Sequence, residues 1–370
     1  MIKKNNHLHY KFIGLFLILI ILFFLSYRDF LITMKLMLFH FYNFPMLPLD
    51  PYYKMILLFD GENVKIGDHQ IKDGWLWQYL RIVPLIINWI IFKIIPCFKM
   101  ASIPEFIDNK TYCSIWSISI VNYTSGLLIQ LGFFLLIRYK FRRSLGESIL
   151  ILFTSYFVLN FLDKYGIDKI SFLYLVIFFL LEKKQKLIYL LIILSVFVNE
   201  KCTLLLCSYF LLIEFDFKNI LKSIYKSFLN INFLLSFLLC LGYLYLTYVK
   251  IDDYFSKDIV DYNYLTLHAL TNSIIPLILL VIPFLVYFFH KNVLVIFNLK
   301  QNFILILIIF LLLGLFVGGT GNMGRYLVYT SIIFLPITNF LIYKILSNLD
   351  YFLLYPKYSN IDIIKMFTKH

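Results

Sequence analysis

Charged residues are scarce in this chain. Asp, Glu, Lys and Arg together make up 15% of its 370 residues, whereas a soluble domain carries about 25%. Apolar types make up 61%, and the mean hydropathy is +0.83. A folded core grows too slowly with chain length to bury that much apolar surface. The composition therefore excludes a soluble enzyme, a disordered chain and a fibrous protein, and it predicts an integral membrane protein.

Several residue patterns that signal known chemistry are also missing. The seven histidines form no ligand pair at helical spacing, and no Ser/His/Asp or Cys/His arrangement can be assembled. No small-residue cleavage site follows the first apolar run, and no internal repeat divides the chain. The five cysteines have no paired metal-ligand spacing, so we expect neither a metal site nor a disulfide framework among them. They are Cys97, Cys113, Cys202, Cys207 and Cys240.

Long apolar runs, by contrast, are abundant. They predict an all-α fold, a polytopic membrane helical bundle of about ten transmembrane helices. The first run, residues 12–26, is interpreted as an uncleaved signal anchor with its N-terminus in the cytoplasm. The other spans are predicted at 114–137, 145–162, 169–181, 187–199, 202–213, 228–249, 271–289, 302–317 and 326–345.

Basic residues orient these predicted spans. The net charge is +13, and most of the excess lies in alternate loops, in the N-terminus and in the tail. Short basic loops remain on the cytoplasmic side of a membrane, so this face is predicted to be cytoplasmic. The charge therefore indicates orientation, and we expect no nucleic-acid partner. Richness in Ile, Lys, Asn, Phe and Tyr is typical of an AT-rich genome and favours the bacterial inner (plasma) membrane.

The whole chain, 1–370, is predicted to be a single membrane domain. After the anchor come an extracytoplasmic loop with juxtamembrane helices (27–113), the helical bundle (114–345) and a cytoplasmic tail (346–370). Residues 80–98 are apolar. If they alone crossed the membrane in this region, the basic N-terminus would have to lie outside, against the charge distribution of the other loops. We interpret this segment as an interfacial or re-entrant helix. The alternative is that residues 31–47 also cross the membrane.

Four candidate sites lie on the predicted outer face, and the first two are acidic segments. Asp73 opens an aromatic-rich segment, and Arg81 follows about two helical turns later. A carboxylate here is suited to general-base catalysis or to metal binding, while the alternative is an interfacial aromatic belt with a snorkelling arginine. Asp163 and Asp168 lie in a short outer loop, which is equally typical of an ordinary polar turn.

Two further candidates lie later in the chain. Glu200 lies between two apolar runs that are separated by almost no loop. The alternative is a short hairpin turn, which would place polar residues at the same position. The segment 318–325, Gly-Gly-Thr-Gly-Asn-Met-Gly-Arg, is predicted to be a turn that opens the last span. Backbone N–H groups at a helix start, together with the guanidinium of Arg325, are suited to a phosphate. The alternative is a flexible turn at the headgroups.

This layout resembles the polytopic membrane glycosyltransferases of the GT-C type, such as the dolichyl-phosphate-mannose and aminoarabinose transferases. The resemblance rests on one anchor span, a long acidic first loop, the basic turn 136–143 and the short acidic loop at Asp163 and Asp168. It implies a first-loop carboxylate as base, with Asp73 in that role, and Arg325 at the lipid phosphate. The family's Asp-Glu pair after the first span is absent, so Asp29 or Asp60 are alternative bases.

The resemblance implies inverting transfer of a sugar from a polyprenyl-phosphate donor to a glycan or lipid acceptor on the outer face. The expected partners are membrane lipid, the lipid-linked sugar donor and a glycan acceptor. Some members of the family use a divalent metal ion, and the sequence leaves its use open. Alternatives are a cell-surface polysaccharide polymerase, a lipid or sugar transporter or flippase, and a structural membrane subunit.

Overall fold

A computed structural model describes residues 81–98, 107–159, 168–181, 185–213, 230–249 and 304–354. It also describes isolated positions within 16–34, 56–61 and 219–229. Every extended element in this part of the chain is helical, which confirms the predicted helical class. The candidate bases Asp29 and Asp73 and the candidate substrate-binding residue Asp163 lie outside the described residues, as do the predicted span 271–289 and the tail beyond 354.

The helices match most of the apolar runs. They are α1 (Ile82–Ile94), α2 (Asn109–Leu135), α3 (Leu145–Leu159), α4 (Asp168–Leu181), α5 (Gln185–Ser195), α6 (Glu200–Ile213), α7 (Ile231–Val249) and α8 (Ile304–Leu354). A π-helical turn, Leu136–Lys140, follows α2 directly. The helices predicted between 114 and 249 are thus confirmed to within a few residues. Their apolar runs end at charged or polar residues, where burial no longer favours the helix.

Two helical stretches in the described part of the chain are long and apolar enough to cross a membrane, Asn109–Lys140 and Leu327–Ser347. A bundle of about ten spans is not shown. Helices α3 to α6 have between 11 and 15 described residues. At 1.5 Å per residue such helices are shorter than the roughly 30 Å of a bilayer core.

Helix α8 corrects the prediction for the end of the chain. It runs without interruption for 51 residues, through the glycine-rich segment 318–325 that was predicted to be a turn. Each glycine costs a helix only about 1 kcal/mol relative to alanine, and apolar runs on both sides favour continuation. The runs 302–317 and 326–345 are therefore parts of one helix and do not reverse direction between them.

The described residues form two compact units. The first contains α1, α2 as far as Gly132, α4, α5 and the start of α6. Its core includes Leu85 of α1 and Tyr112 of α2, with Trp89 and Phe92 packed against it. The opposite face of α1 exposes an isoleucine at every fourth position, Ile82, Ile86, Ile90 and Ile94. One side of α1 is thus packed on protein, and the other presents an apolar stripe.

A disulfide closes the connection between α1 and α2. Cys97 and Cys113 are bonded, with a Cα–Cα distance of 5.7 Å across a sequence separation of 16. This corrects the expectation that no disulfide forms, because the close approach of the end of α1 and the start of α2 is a tertiary feature that cysteine spacing does not reveal. Cys202, Cys207 and Cys240 are free and buried.

The second unit contains the end of α2, the π-helical turn, α3 and α8. Residues 327–340 of α8 are all buried, and α8 packs against α3. Asn339 joins the two helices: its Nδ2 donates to the Glu147 carbonyl at 2.9 Å, and its Oδ1 accepts from Thr154 Oγ1 at 3.2 Å. A side-chain amide of α8 thus satisfies two polar groups of α3 within an apolar interface.

Candidate functional site

The junction between α5 and α6 organises the first unit. A turn at residues 196–198 reverses the chain, and Asn199 then caps α6, because its Oδ1 accepts a hydrogen bond from the Lys201 N–H at 3.0 Å. Asparagine at this position satisfies a backbone donor that the helix itself cannot. The Asn199 Nδ2 also donates to Ser171 Oγ of α4 at 3.2 Å. The chain thus makes a short turn before Glu200, as the alternative interpretation of this segment expected, and the turn is tied to α4.

Three helices begin at this junction. Asp168 is the first residue of α4, Glu200 is the first residue of α6, and Arg81 immediately precedes α1. The Val83 N–H in the first turn of α1 donates to the Phe197 carbonyl in the α5–α6 turn at 3.1 Å. The positive ends of three helix dipoles therefore lie near one another, with a carboxylate at two of them.

Arg81 and Glu200 make a two-point ion pair. Arg81 Nε lies 3.1 Å from Glu200 Oε2, and Nη2 lies 2.6 Å from Oε1. The two side chains are only 11% and 18% exposed. This geometry matches the planar guanidinium to the planar carboxylate, which makes such pairs stronger than single contacts.

A second pair lies beside the first and is buried more completely. Lys201 Nζ is 3.7 Å from Asp168 Oδ1, with side-chain exposures of 4% and 0%. Glu200 also interacts electrostatically with Lys201. We call Arg81, Asp168, Glu200 and Lys201 the charged cluster. Its two cations and two anions balance, as buried charges require.

The electrostatics of the cluster favour an ionised Glu200. Burial alone raises the pKa of this carboxyl, but Arg81 and Lys201 outweigh that effect and hold the pKa of Glu200 below its ordinary value of 4.5. Glu200 lies just outside the predicted span 202–213. Its carboxylate is therefore a permanent anion at neutral pH and is not poised to donate a proton.

The structure brings together three of the predicted site residues, Arg81, Asp168 and Glu200, and separates others from them. Asp60 forms an ion pair with Lys93 of α1, away from the start of that helix. The backbone at Arg325 lies within α8, so its N–H groups are not those of a helix start, and its side chain is outside the described residues.

The sequence did not single out Lys201 or Asn199 as separate site residues. Lys201 neutralises Asp168, and Asn199 holds the turn that carries Glu200. The signal available was their position in Asn199-Glu200-Lys201, where three polar residues interrupt two apolar runs. No group of three His, Cys, Asp or Glu side chains in the described part of the chain is arranged to hold a metal ion.

Comparisons with protein-family models, with curated proteins and with solved structures find no match to this chain. The charged cluster and its surroundings are therefore the features of the described residues that point to a function.

Proposed function

We propose that the chain is a multi-pass integral membrane glycosyltransferase of the GT-C type. It moves a sugar from a polyprenyl-phosphate donor to a glycan or lipid acceptor on the outer face of the bacterial inner membrane. The charged cluster is the observation that carries the proposal. Charges buried among apolar helices cost free energy, and in membrane proteins they mark substrate or ion sites.

Three features support the membrane placement. Two helical stretches are long and apolar enough to cross a bilayer. The isoleucine stripe of α1 offers an apolar surface to lipid, and 13 residues are too short to span, which favours the interfacial interpretation. The Cys97–Cys113 disulfide falls within the predicted extracytoplasmic region 27–113, and disulfides persist in oxidising compartments. About ten spans and a cytoplasmic N-terminus complete the proposal.

The convergence of helix starts supports phosphate binding. Helix N-termini and a guanidinium fork both favour phosphate groups. The Glu200 carboxylate occupies the Arg81 fork with two contacts. A donor phosphate presents the same pair of oxygens and would exchange with Glu200 at Arg81, while Lys201 and Asp168 remain paired behind it.

The base is assigned by resemblance to the family. Asp73 is proposed for this role and lies eight residues before Arg81 in the sequence. Asp60 is less suited, because its carboxylate is already paired with Lys93. Arg325 is retained as a second candidate contact to the donor phosphate.

Binding of polyprenyl phosphate, the lipid common to all such donors, tests the site without knowledge of the sugar. We expect the purified full chain to bind polyprenyl phosphate much more tightly than the uncharged polyprenol. Arg81→Gln should weaken that binding roughly 10- to 100-fold, since it removes charge-assisted hydrogen bonds worth about 1.5–3 kcal/mol. The matched control is Lys93→Gln on the same helix, with little expected effect. Equal binding of phosphate and alcohol would refute the proposal.

Transfer and topology test the remaining assignments. Asp73→Asn should abolish transfer in a protein that still inserts; normal glycan in that variant would exclude Asp73 as the base. Arg325→Ala should weaken donor binding more than Arg81→Ala if Arg325 is the main phosphate contact, and less if the charged cluster is.

Labelling of single cysteines from either side of the membrane tests the topology. Asp73→Cys and Asn322→Cys should label from outside and Phe141→Cys only from inside, with Cys97 and Cys113 retained. Labelling of position 73 from inside would rule out this mechanism.

A further inference from the structure

The turn between α2 and α3 has an unusual backbone. The π-helical turn Leu136–Lys140 ends with hydrogen bonds from the Phe141 N–H to the Leu136 carbonyl at 3.0 Å and from the Arg143 N–H to the Ile137 carbonyl at 3.1 Å. Between them Arg142 has φ 53°. Helix ends of this kind usually place glycine in the left-handed region, because a side chain there is unfavourable. An arginine thus occupies a position that favours glycine.

One arginine of this turn, Arg143, has a structural role. Arg143 Nε lies 2.7 Å from Glu147 Oε2, and Nη2 lies 3.2 Å from Oε1. The guanidinium carbon of Arg143 also stands 4.4 Å from the centroid of the Phe340 ring. Glu147 has a side-chain exposure of 7%. Arg143 therefore holds α3 and α8 together and is turned away from the surface.

The other two arginines face outward. Arg138 and Arg142 are both exposed, and Tyr139 between them is 71% exposed. Arg138 Nη1 donates to the Arg143 carbonyl at 2.9 Å, which holds its guanidinium beside the turn while using one of its five donors. Lys140 adds a third positive charge. Glu147, the acidic residue that follows this turn in the sequence, already pairs with Arg143.

We propose that Arg138, Tyr139 and Arg142 bind the phosphate headgroup of an anionic membrane phospholipid. The turn ends the helical stretch Asn109–Lys140, so a membrane-spanning α2 places it at headgroup depth. Guanidinium groups match phosphate oxygens in pairs, and an exposed tyrosine is typical of the membrane interface. The inference rests on the membrane placement in the proposed function and is independent of glycosyl transfer.

Substitution of Arg142 distinguishes a role in lipid binding from a role in the fold. Arg142→Gly relieves the left-handed backbone, so the thermal midpoint of the purified protein should stay the same or rise. The same change removes a guanidinium from the headgroup site, so lipid binding should weaken. Stability and binding are thus expected to move in opposite directions, which a purely structural role does not predict.

The experiment measures binding of phosphatidylglycerol and of phosphatidylcholine to the full chain in detergent. We expect phosphatidylglycerol to bind more tightly, and Arg138→Gln and Arg142→Gly to weaken it roughly fivefold each. Arg143→Gln is the control, with a lowered thermal midpoint as its main effect. Equal binding of the two lipids, or unchanged binding in both outward variants, would overturn the inference. Displacement of the lipid by millimolar inorganic phosphate would instead assign the site to free phosphate.

Alkaline carbonate extraction keeps this test distinct from that of the proposed function. A chain that carbonate extracts from membranes would refute the membrane placement itself, and with it this inference. A chain that remains inserted while both outward variants bind phosphatidylglycerol normally would refute only the headgroup site. Failure to bind polyprenyl phosphate, with normal phosphatidylglycerol binding, would refute only the transferase.

Discussion

Arg81 and Glu200 lie 119 residues apart in the sequence and form a two-point ion pair, with Nε–Oε2 and Nη2–Oε1 distances of 3.1 and 2.6 Å. The pair joins the start of α1 to the start of α6. Because both side chains are largely buried, removal of either one leaves a charge that water cannot solvate fully. Such losses cost about 3 kcal/mol, whereas removal of both charges together costs less.

The first prediction is therefore a non-additive mutant cycle. Arg81→Met and Glu200→Gln should each lower the free energy of unfolding by about 3 kcal/mol, and the double variant should lose clearly less than the sum. Chemical unfolding in mixed micelles measures this. Lys93→Met serves as control, since Lys93 is half exposed and its pair with Asp60 should contribute under about 1 kcal/mol. Additive losses would show that the two charges are not coupled.

The second prediction concerns pH. The pKa of Glu200 is lower in the folded protein than its ordinary value of 4.5, because Arg81 and Lys201 outweigh burial. The unfolded chain then binds the proton more readily, so the contribution of Glu200 to stability is complete above about pH 4.5. It is lost as the pH falls through the lower, folded pKa.

Thermal midpoints of the wild type and of Glu200→Gln, measured as a function of pH, test the direction of this pKa shift. The advantage of the wild type should be constant near neutral pH and should shrink below about pH 4.5. If the wild type instead gained stability relative to Glu200→Gln as the pH fell from 7 to 5, burial would dominate, and the pKa of Glu200 would be raised.

The third prediction concerns the Cys97–Cys113 disulfide. It closes a loop with a sequence separation of 16, and cross-links over loops of this size stabilise a fold by about 3 kcal/mol. Cys97→Ser, Cys113→Ser and the double variant should therefore all lose a similar amount. A maleimide reagent should modify these two thiols in unfolded protein only after reduction with a dithiol. Modification of both without reduction would contradict the disulfide.

The helices could be predicted from the sequence because they depend on local patterns. The runs that became α2, α4 and α6 are continuous, apolar and bounded by charged or polar residues, and their structures follow. The turn before α6 was visible from Asn199-Glu200-Lys201. In each case burial and capping act over a few neighbouring residues.

The partners of the site residues could not be predicted, because they depend on tertiary approach. Nothing in the spacing of Arg81 and Glu200 indicates that α1 and α6 begin at one place. Cys97 and Cys113 were interpreted as unpaired for the same reason. At 318–325 the glycines indicated a turn, but the helix-favouring runs on both sides outweigh the local preference.

The last prediction concerns the close packing of α2 on α4. A Cβ atom added at Gly132 would overlap Cγ1 of the buried Val176. Alanine gains about 1 kcal/mol of helix propensity over glycine, but overpacking costs about 1–3 kcal/mol. Gly132→Ala should therefore lower the free energy of unfolding. Gly242→Ala in α7 should raise it, because a Cβ added there meets no atom within 4 Å apart from its chain neighbours and the backbone of its own helix.

Val176→Ala distinguishes overlap from any other effect of Gly132→Ala. Alone it should destabilise by about 2 kcal/mol, since it leaves a cavity. In the double variant the new alanine methyl fills the space that Val176 vacates, so the loss should be smaller than the sum of the single losses. Thermal unfolding of the four proteins measures this. An additive result would mean that the α2 and α4 backbones do not approach as closely as Gly132 indicates.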